Sequence, residues 1–255
     1  MEPIPQGPDA TDAPETLVPS AVSEKVEAHL KEGRIEDHSV GWKREWWDRA
    51  DLPLLRDAVD RVVALSEPGR GRWLYVSRGA VMSLARGDAG GGPWPLFAGT
   101  MIWGYGDRGY GAARTARILW STKKEKVEAN LSALVRASQD GPGQAWDTAT
   151  FRHRTYRFGP AFATKLAYFA AWTPTSAHGP SRPGPLIGDA YTSWALWDLC
   201  RVPRSAYTRA GYLRYVDLAH RWAAGNGWRA DEVERALFEI GRSVRAAKGR
   251  NRRRG

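Results

Sequence analysis

Cysteine is nearly absent from this 255-residue chain, and the absence removes whole classes of chemistry. The single Cys200 excludes an intrachain disulfide and any four-cysteine zinc or iron–sulfur site. Histidine is sparse as well. His29, His38, His153, His178 and His220 are scattered, with no HExxH and no paired i, i+4 arrangement, so neither a protein-held metal nor a cofactor is expected. There is no GxSxG elbow, and the GYGDRGYG run at 104–111 follows no clear strand and fits neither a dinucleotide fingerprint nor a P-loop. No apolar run approaches the ~20 residues of a membrane helix. The opening MEPIPQGPDATDAPE has neither a basic nor an apolar targeting region, which gives the expectation of a cytoplasmic protein.

What the chain does have is aromatic and cationic. Its 42% apolar content, with 13 tryptophans, suffices for one compact domain or two closely packed subdomains. The formal charge of +10 is unevenly spread: residues 1–37 hold nine acids against three bases, and residues 242–255 hold seven bases and no acid. A basic body with a basic tail suits a polyanionic partner, because each phosphate contact releases counterion; compositional bias is the plainer explanation of the tail. The expected organisation is an acidic, disordered segment over 1–38, one helical domain over 39–246, and a basic disordered tail over 247–255.

Periodicity supplies the elements. Ser23–Lys31 reads as a short helix, Trp42, Trp46 and Trp47 as the start of packed structure, and Pro53–Ser66 as an amphipathic helix with Leu55, Val59, Val62 and Val63 inward. Arg72–Leu84 has some strand character, though a helix from Arg78 fits equally. Gly87–Pro95 reads as a loop. The glycines and aromatics of 97–111 read either as a loop that lets backbone approach a ligand or as a turn whose rings pack the core. Thr122–Ser138 reads as a helix opening on Lys123 and Lys124 and ended by Asp140-Gly141-Pro142-Gly143. A cluster of Arg152, Arg154 and Arg157 precedes Gly159 and suits phosphate contact, with solvated charge as the alternative. Later helices run from a Ser205 cap to Ala224 and from an Asp231 cap inward through Val233, Ala236, Leu237, Ile240 and Val244. About eight helices and little strand make an all-α fold of two packed helical subdomains.

Two charges are out of place in the apolar stretch 158–194. A helical wheel puts Phe162, Leu166, Phe169 and Ala170 on one face, with Lys165 on its flank beside Tyr168 and Trp172. Burial there disfavours an ammonium, and a neutral amine is what a nitrogen nucleophile needs. Asp189 stands where a helix would begin, so two packed helices can bring its carboxylate to the amine. Singly, each has a plainer reading: a snorkelling lysine and a helix cap. Cys200 falls on the Asp189 helix face behind the site, against a thiol nucleophile.

The pattern GPAFATK at 159–165, an apolar helix, a variable loop, then an aspartate at a helix start resembles the helix-hairpin-helix DNA glycosylases, most of all their 8-oxoguanine branch. A weaker likeness runs from Phe97 to about Leu199. Where that family's hairpin usually carries two glycines, this chain carries Gly159 alone. The resemblance implies that Lys165 attacks C1′ of a damaged nucleoside and Asp189 assists. The cleft would lie around 97–111 and 158–194, with Trp103, Tyr105, Phe162 and Gly159 against the substrate. Arg152, Arg154, Arg157, Lys123 and Lys124 would meet phosphate. It further implies a monomeric, nucleoid-associated enzyme on damaged duplex DNA, excising an oxidised purine with or without strand cleavage. The competing classes are a DNA-binding scaffold without turnover and a tryptophan-rich protein-interaction module.

Overall fold

Two helices are enclosed by protein along most of their length, and the rest of the chain is wrapped around them. In the computed structural model, which describes residues 17–50, 52–85, 92–172, 183–202 and 207–251, these are α5 (Trp94–Tyr105) and α9 (Pro160–Ala171). Every residue from Trp94 to Trp103 and from Ala163 to Ala170 is buried. A helix apolar around its whole circumference is stable only when other elements cover it.

Before them come α1 (Ser20–Glu32), α2 (Arg44–Asp48), α3 (Arg56–Ala64, entered through a 3₁₀ turn at Pro53–Leu55) and α4 (Arg78–Leu84). Between and after them lie α6 (Gly111–Trp120), α7 (Lys124–Gln139), α8 (Pro142–Asp147), α10 (Ala190–Cys200), α11 (Arg209–Asn226) and α12 (Ala230–Asn251). Strands β1 (Ser39–Trp42), β2 (Glu67–Pro68) and β3 (Leu74–Ser77) form one small antiparallel sheet in the order β1-β3-β2, with Val40 opposite Val76 and Glu67 opposite Tyr75. With twelve α-helices and this single sheet among the described residues, the fold is all-α. The helices fall into two packed groups: α3, α4 and α7 lie against α5 and α9, while α1, α10 and α11 lie against α12.

Both readings of Arg72–Leu84 hold in sequence: β3 ends at Ser77, whose side chain accepts from Ala80 N and caps α4. Several boundaries are corrected. The segment 1–38, expected to be disordered, is helical over α1, which buries Val22 and Val26 and pairs Glu32 with Arg235 and Lys25 with Glu239 on α12. The tail expected from 247 is helical as far as Asn251. Asp140–Gly143 is a corner rather than an end: Gly141 takes φ 112° and Pro142 opens α8, which runs on as a π-helical turn through Thr148–Arg152. Thr208, accepting from Gly211 N, caps α11; Ser205, His178 and most of the loop 87–95 lie outside the described residues. Two glycines of 97–111 serve helix packing, and Gly106, at φ 53°, ends α5. Gly99 faces Leu84 and Val81 of α4, and Gly104 faces Phe162 of α9.

The tightest approach is between α10 and α12. A Cβ on Gly241 would collide with the Tyr191 carbonyl, a backbone atom with nowhere to move. Glycine inside a helix costs roughly 1 kcal/mol relative to alanine, so on an open helix face Gly241→Ala would stabilise. Here the clash outweighs that gain: the substitution is expected to lower stability by about 1–3 kcal/mol, read as a lower urea midpoint with unchanged slope.

Candidate active site

The segment that carries Asp189 into place is buried yet belongs to no strand. Five consecutive carbonyls, Gly184 to Gly188, would be orphaned there, and each is met by a side chain from the surrounding helices. His220 Nε2 lies 3.0 Å from Gly184 O, Trp172 Nε1 donates to Pro185 O at 2.8 Å, and Tyr212 donates to Leu186 O at 2.9 Å. Tyr215 donates to Ile187 O at 3.0 Å, and Thr164 Oγ1 donates to Gly188 O at 3.2 Å. Because a carbonyl only accepts, His220 carries its proton on Nε2. A buried backbone must find its partners within the protein, and here they peg the chain at every residue up to Asp189.

Asp189 then divides its oxygens. Oδ1 accepts from Tyr191 N at 2.9 Å and Thr192 N at 3.2 Å, while Thr192 Oγ1 accepts from Asp189 N, completing a capping box on α10. Oδ2 faces Lys165 Nζ at 3.2 Å. Lys165 and Asp189 are only 6% and 8% exposed. The cap and the charge pair are thus one arrangement, with the carboxylate seated at the positive end of α10.

Beneath the pair lies a buried polar network that the sequence did not announce. Arg78 Nη1 donates to Glu234 at 2.7 Å and to the Tyr168 hydroxyl at 3.2 Å, and Tyr168 donates to Asp231 at 2.9 Å. Arg229 clasps Asp231 through Nε and Nη2 and also bonds Glu36. Burial would pull the Arg78 pKa down, but Glu234 and Tyr168 overcome it and hold it above the usual arginine value. Burial raises the Glu234 carboxyl, opposed by Arg78, and both Lys165 and Asp189 are close enough to act on it electrostatically. Burial and then Asp231 push the Tyr168 phenol well up, so it stays a donor.

Of the other expected site residues, Tyr105 and Phe162 lie beside the amine with ring centroids 4.6 Å apart and planes tilted by 33°, and Lys165 Nζ is 5.7 Å from the Phe162 ring centre. Gly104 makes this possible, since a Cβ there would lie 2.6 Å from Phe162 Cε1 and 3.3 Å from Lys165 Cδ. Trp103 packs the core, the second of the two readings of 97–111: it is buried, edge-on to His38 and Phe169 and under the Arg78 guanidinium. Gly159 is the exposed, extended N-cap of α9 with open space around it, and the left-handed position of this turn is taken by Arg157 at φ 64°. Arg152, Arg154, Lys123 and Lys124 are exposed without carboxylate partners among the described residues; Arg157, also exposed, lies over the Tyr156 ring. Cys200 is half-buried at the far end of α10. Hollows lie at Arg44, Trp47, Leu52 and Arg56, and between α8 and α9 beside Ala163 and Thr164.

His38 accepts from Arg78 Nε at 3.3 Å through Nδ1. Burial, then the neighbouring Arg78 charge, lowers its pKa from 6.5 to about 2. The unfolded chain therefore takes up a proton at this residue below pH 6.5 while the folded chain does not, and stability falls as pH falls. Between pH 6.5 and about pH 5 the loss from His38 should be roughly 2 kcal/mol. Urea midpoints across that range should show it, and the His38→Asn variant should show a flatter pH dependence.

No group of three or more histidine, cysteine, aspartate or glutamate side chains is placed to hold a metal among the described residues, and none of their helices is long and apolar enough to cross a membrane. Neither the curated proteins nor the solved structures yield a match. A family model does match, the one described as 8-oxoguanine DNA glycosylase OGG-like protein, and it covers residues 33–238, well beyond 97–199 on both sides. A match across that much of the sequence settles the kinship: the chain belongs to the OGG-like 8-oxoguanine DNA glycosylase family.

Proposed function

We propose that the protein is a DNA glycosylase that excises an oxidised purine such as 8-oxoguanine, acting as a monomer on the nucleoid with Lys165 as its nucleophile. The observation that carries this reading is the buried Lys165–Asp189 pair at 3.2 Å, set beside two aromatic rings. Desolvating an ion pair is costly, and an apolar pair would commonly serve stability as well or better. An amine and a carboxylate held together in an enclosed site suit chemistry better than packing.

The lesion nucleotide leaves the duplex at a cost of a few kcal/mol, and its base stacks on Tyr105 and Phe162. Lys165 gives its proton to Asp189 Oδ2, and the freed lone pair attacks C1′. As the N–C1′ bond forms, the glycosidic bond breaks and its electron pair departs with the purine, which takes the proton that Asp189 holds. The Asp189 carboxylate, so restored, faces the positive charge left on the sugar and the amine. Opening of the sugar ring leaves an imine between Lys165 and C1′, from which strand cleavage by elimination can follow. The exposed cations at Arg152, Arg154, Arg157, Lys123 and Lys124 would hold the flanking duplex.

Seven of the thirteen tryptophans, Trp42, Trp47, Trp94, Trp103, Trp146, Trp172 and Trp222, are buried, while Trp120, Trp194 and Trp197 are exposed.

Borohydride added to the protein with a duplex containing 8-oxoguanine should give a covalent complex, absent in Lys165→Gln. Asp189→Asn keeps a good helix cap but loses the charge, so binding should survive while the rate falls by about a hundredfold or more. Absence of a trapped complex across a panel of lesion duplexes, with DNA binding retained, would mark a scaffold that binds without turnover.

A further inference from the structure

Contacts around the buried pair close into a ring. Lys165 lies against Phe162, Phe162 packs on Tyr105, and Tyr105 meets Tyr110 edge-on at 5.5 Å. Arg108 Nη1 donates to the Tyr110 hydroxyl at 3.2 Å and is also within hydrogen-bonding reach of the Tyr191 hydroxyl. The Tyr191 N–H returns to Asp189 at 2.9 Å. From α12, Arg245 brings a second guanidinium to the same hydroxyl, donating from Nη1 at 3.4 Å with its plane 5.5 Å from the ring centre.

Two exposed guanidiniums thus converge on one oxygen at the rim of the site. Several exposed arginines are paired with acids, as in Arg44–Asp60, Arg72–Glu45 and Arg209–Asp147. Arg108 and Arg245 have no carboxylate partner among the described residues. The Tyr191 hydroxyl accepts from Arg245, with Arg108, held on the Tyr110 hydroxyl, close beside it, and its own proton has no acceptor among those residues. Cations gathered this closely repel one another, and an anion between them turns that cost into a charge-assisted, multidentate contact.

We propose that one backbone phosphate of the DNA strand binds between Arg108 and Arg245, with Tyr191 giving it a third hydrogen bond, and so anchors the strand beside Lys165. The identification of the anion as DNA rests on the excision reading above; the clamp itself rests on the two guanidiniums and the shared hydroxyl. Tyr191 follows Asp189 by two residues on the same helix start, so the phosphate and the carboxylate share one rigid support. Gripping the phosphate draws Arg108 away from Tyr110 and Tyr191, which opens the ring and gives a base access to Tyr105 and Phe162.

The test is binding of the full chain to a duplex carrying a tetrahydrofuran abasic analogue, measured against salt. One phosphate contact contributes about 0.9 to the slope of log K against log salt. The Arg108→Gln, Arg245→Gln double variant should lose about that much slope and bind about tenfold or more weakly. Each single variant should cost nearly as much affinity as the double, because the two share one ligand. Tyr191→Phe should weaken binding severalfold without changing the slope, and Arg70→Gln, in the exposed β2–β3 turn, should change neither. An unchanged slope in the double variant overturns the clamp, and additive losses totalling about twice that slope overturn the shared phosphate. Because binding is read without turnover, a loss of slope without borohydride trapping would sink the excision reading alone; trapping with an unchanged slope would sink only the clamp.

Discussion

Five carbonyls without a backbone partner govern the architecture of this site. The residues from Gly184 to Gly188 run through the interior without a neighbouring strand, so side chains from α9, from Trp172 just beyond it and from α11 must satisfy them one by one. An unpaired buried carbonyl costs about 1–3 kcal/mol, so the donors are held in place as firmly as the segment they serve. Thr164 shows how directly this bears on chemistry: it bonds Gly188 through both N–H and C=O and precedes Lys165 in the same helix. The amine and the carboxylate inherit their separation from that tie.

The charges deeper in the interior follow a related logic. Arg78, Glu234, Asp231, Arg229 and Glu36 are buried and each has opposite charge in contact, so none is left bare. Such networks seldom add stability over a hydrophobic core, but once fully satisfied they tolerate little rearrangement. This one links α4 to the start of α12 and, through Tyr168, to α9, which joins the two helix groups directly under the reactive pair.

The pair itself was legible in the sequence because its signals are local. A lysine on the flank of an apolar helix and an aspartate at a helix start are each visible within a few residues, and their order fits the family pattern. Burial of both side chains follows from the apolar composition of α9 and the segment before α10. The polar network was invisible because its members are far apart in the chain: Arg78 meets Glu234 across 156 residues, and Glu36 meets Arg229 across 193. The sequence leaves 97–111 open between a ligand-facing loop and core packing, because glycine serves both; in α5, Gly99 and Gly104 provide room for neighbouring helices and Trp103 packs inward. At the turn before α9 the left-handed backbone falls on Arg157, a residue type that carries no signal for it.

The close seating of α10 on α12 also gives the site a place in the life of the chain. Tyr191 rests against Gly241, so the helix that presents Asp189 has nothing to lean on until residues beyond 240 are available. During synthesis, which proceeds from the N-terminus, the lysine emerges long before its partner can be anchored. The Lys165–Asp189 pair is therefore among the last parts of the molecule to form, and a chain cut short ahead of α12 carries Lys165 without the support that presents Asp189 to it.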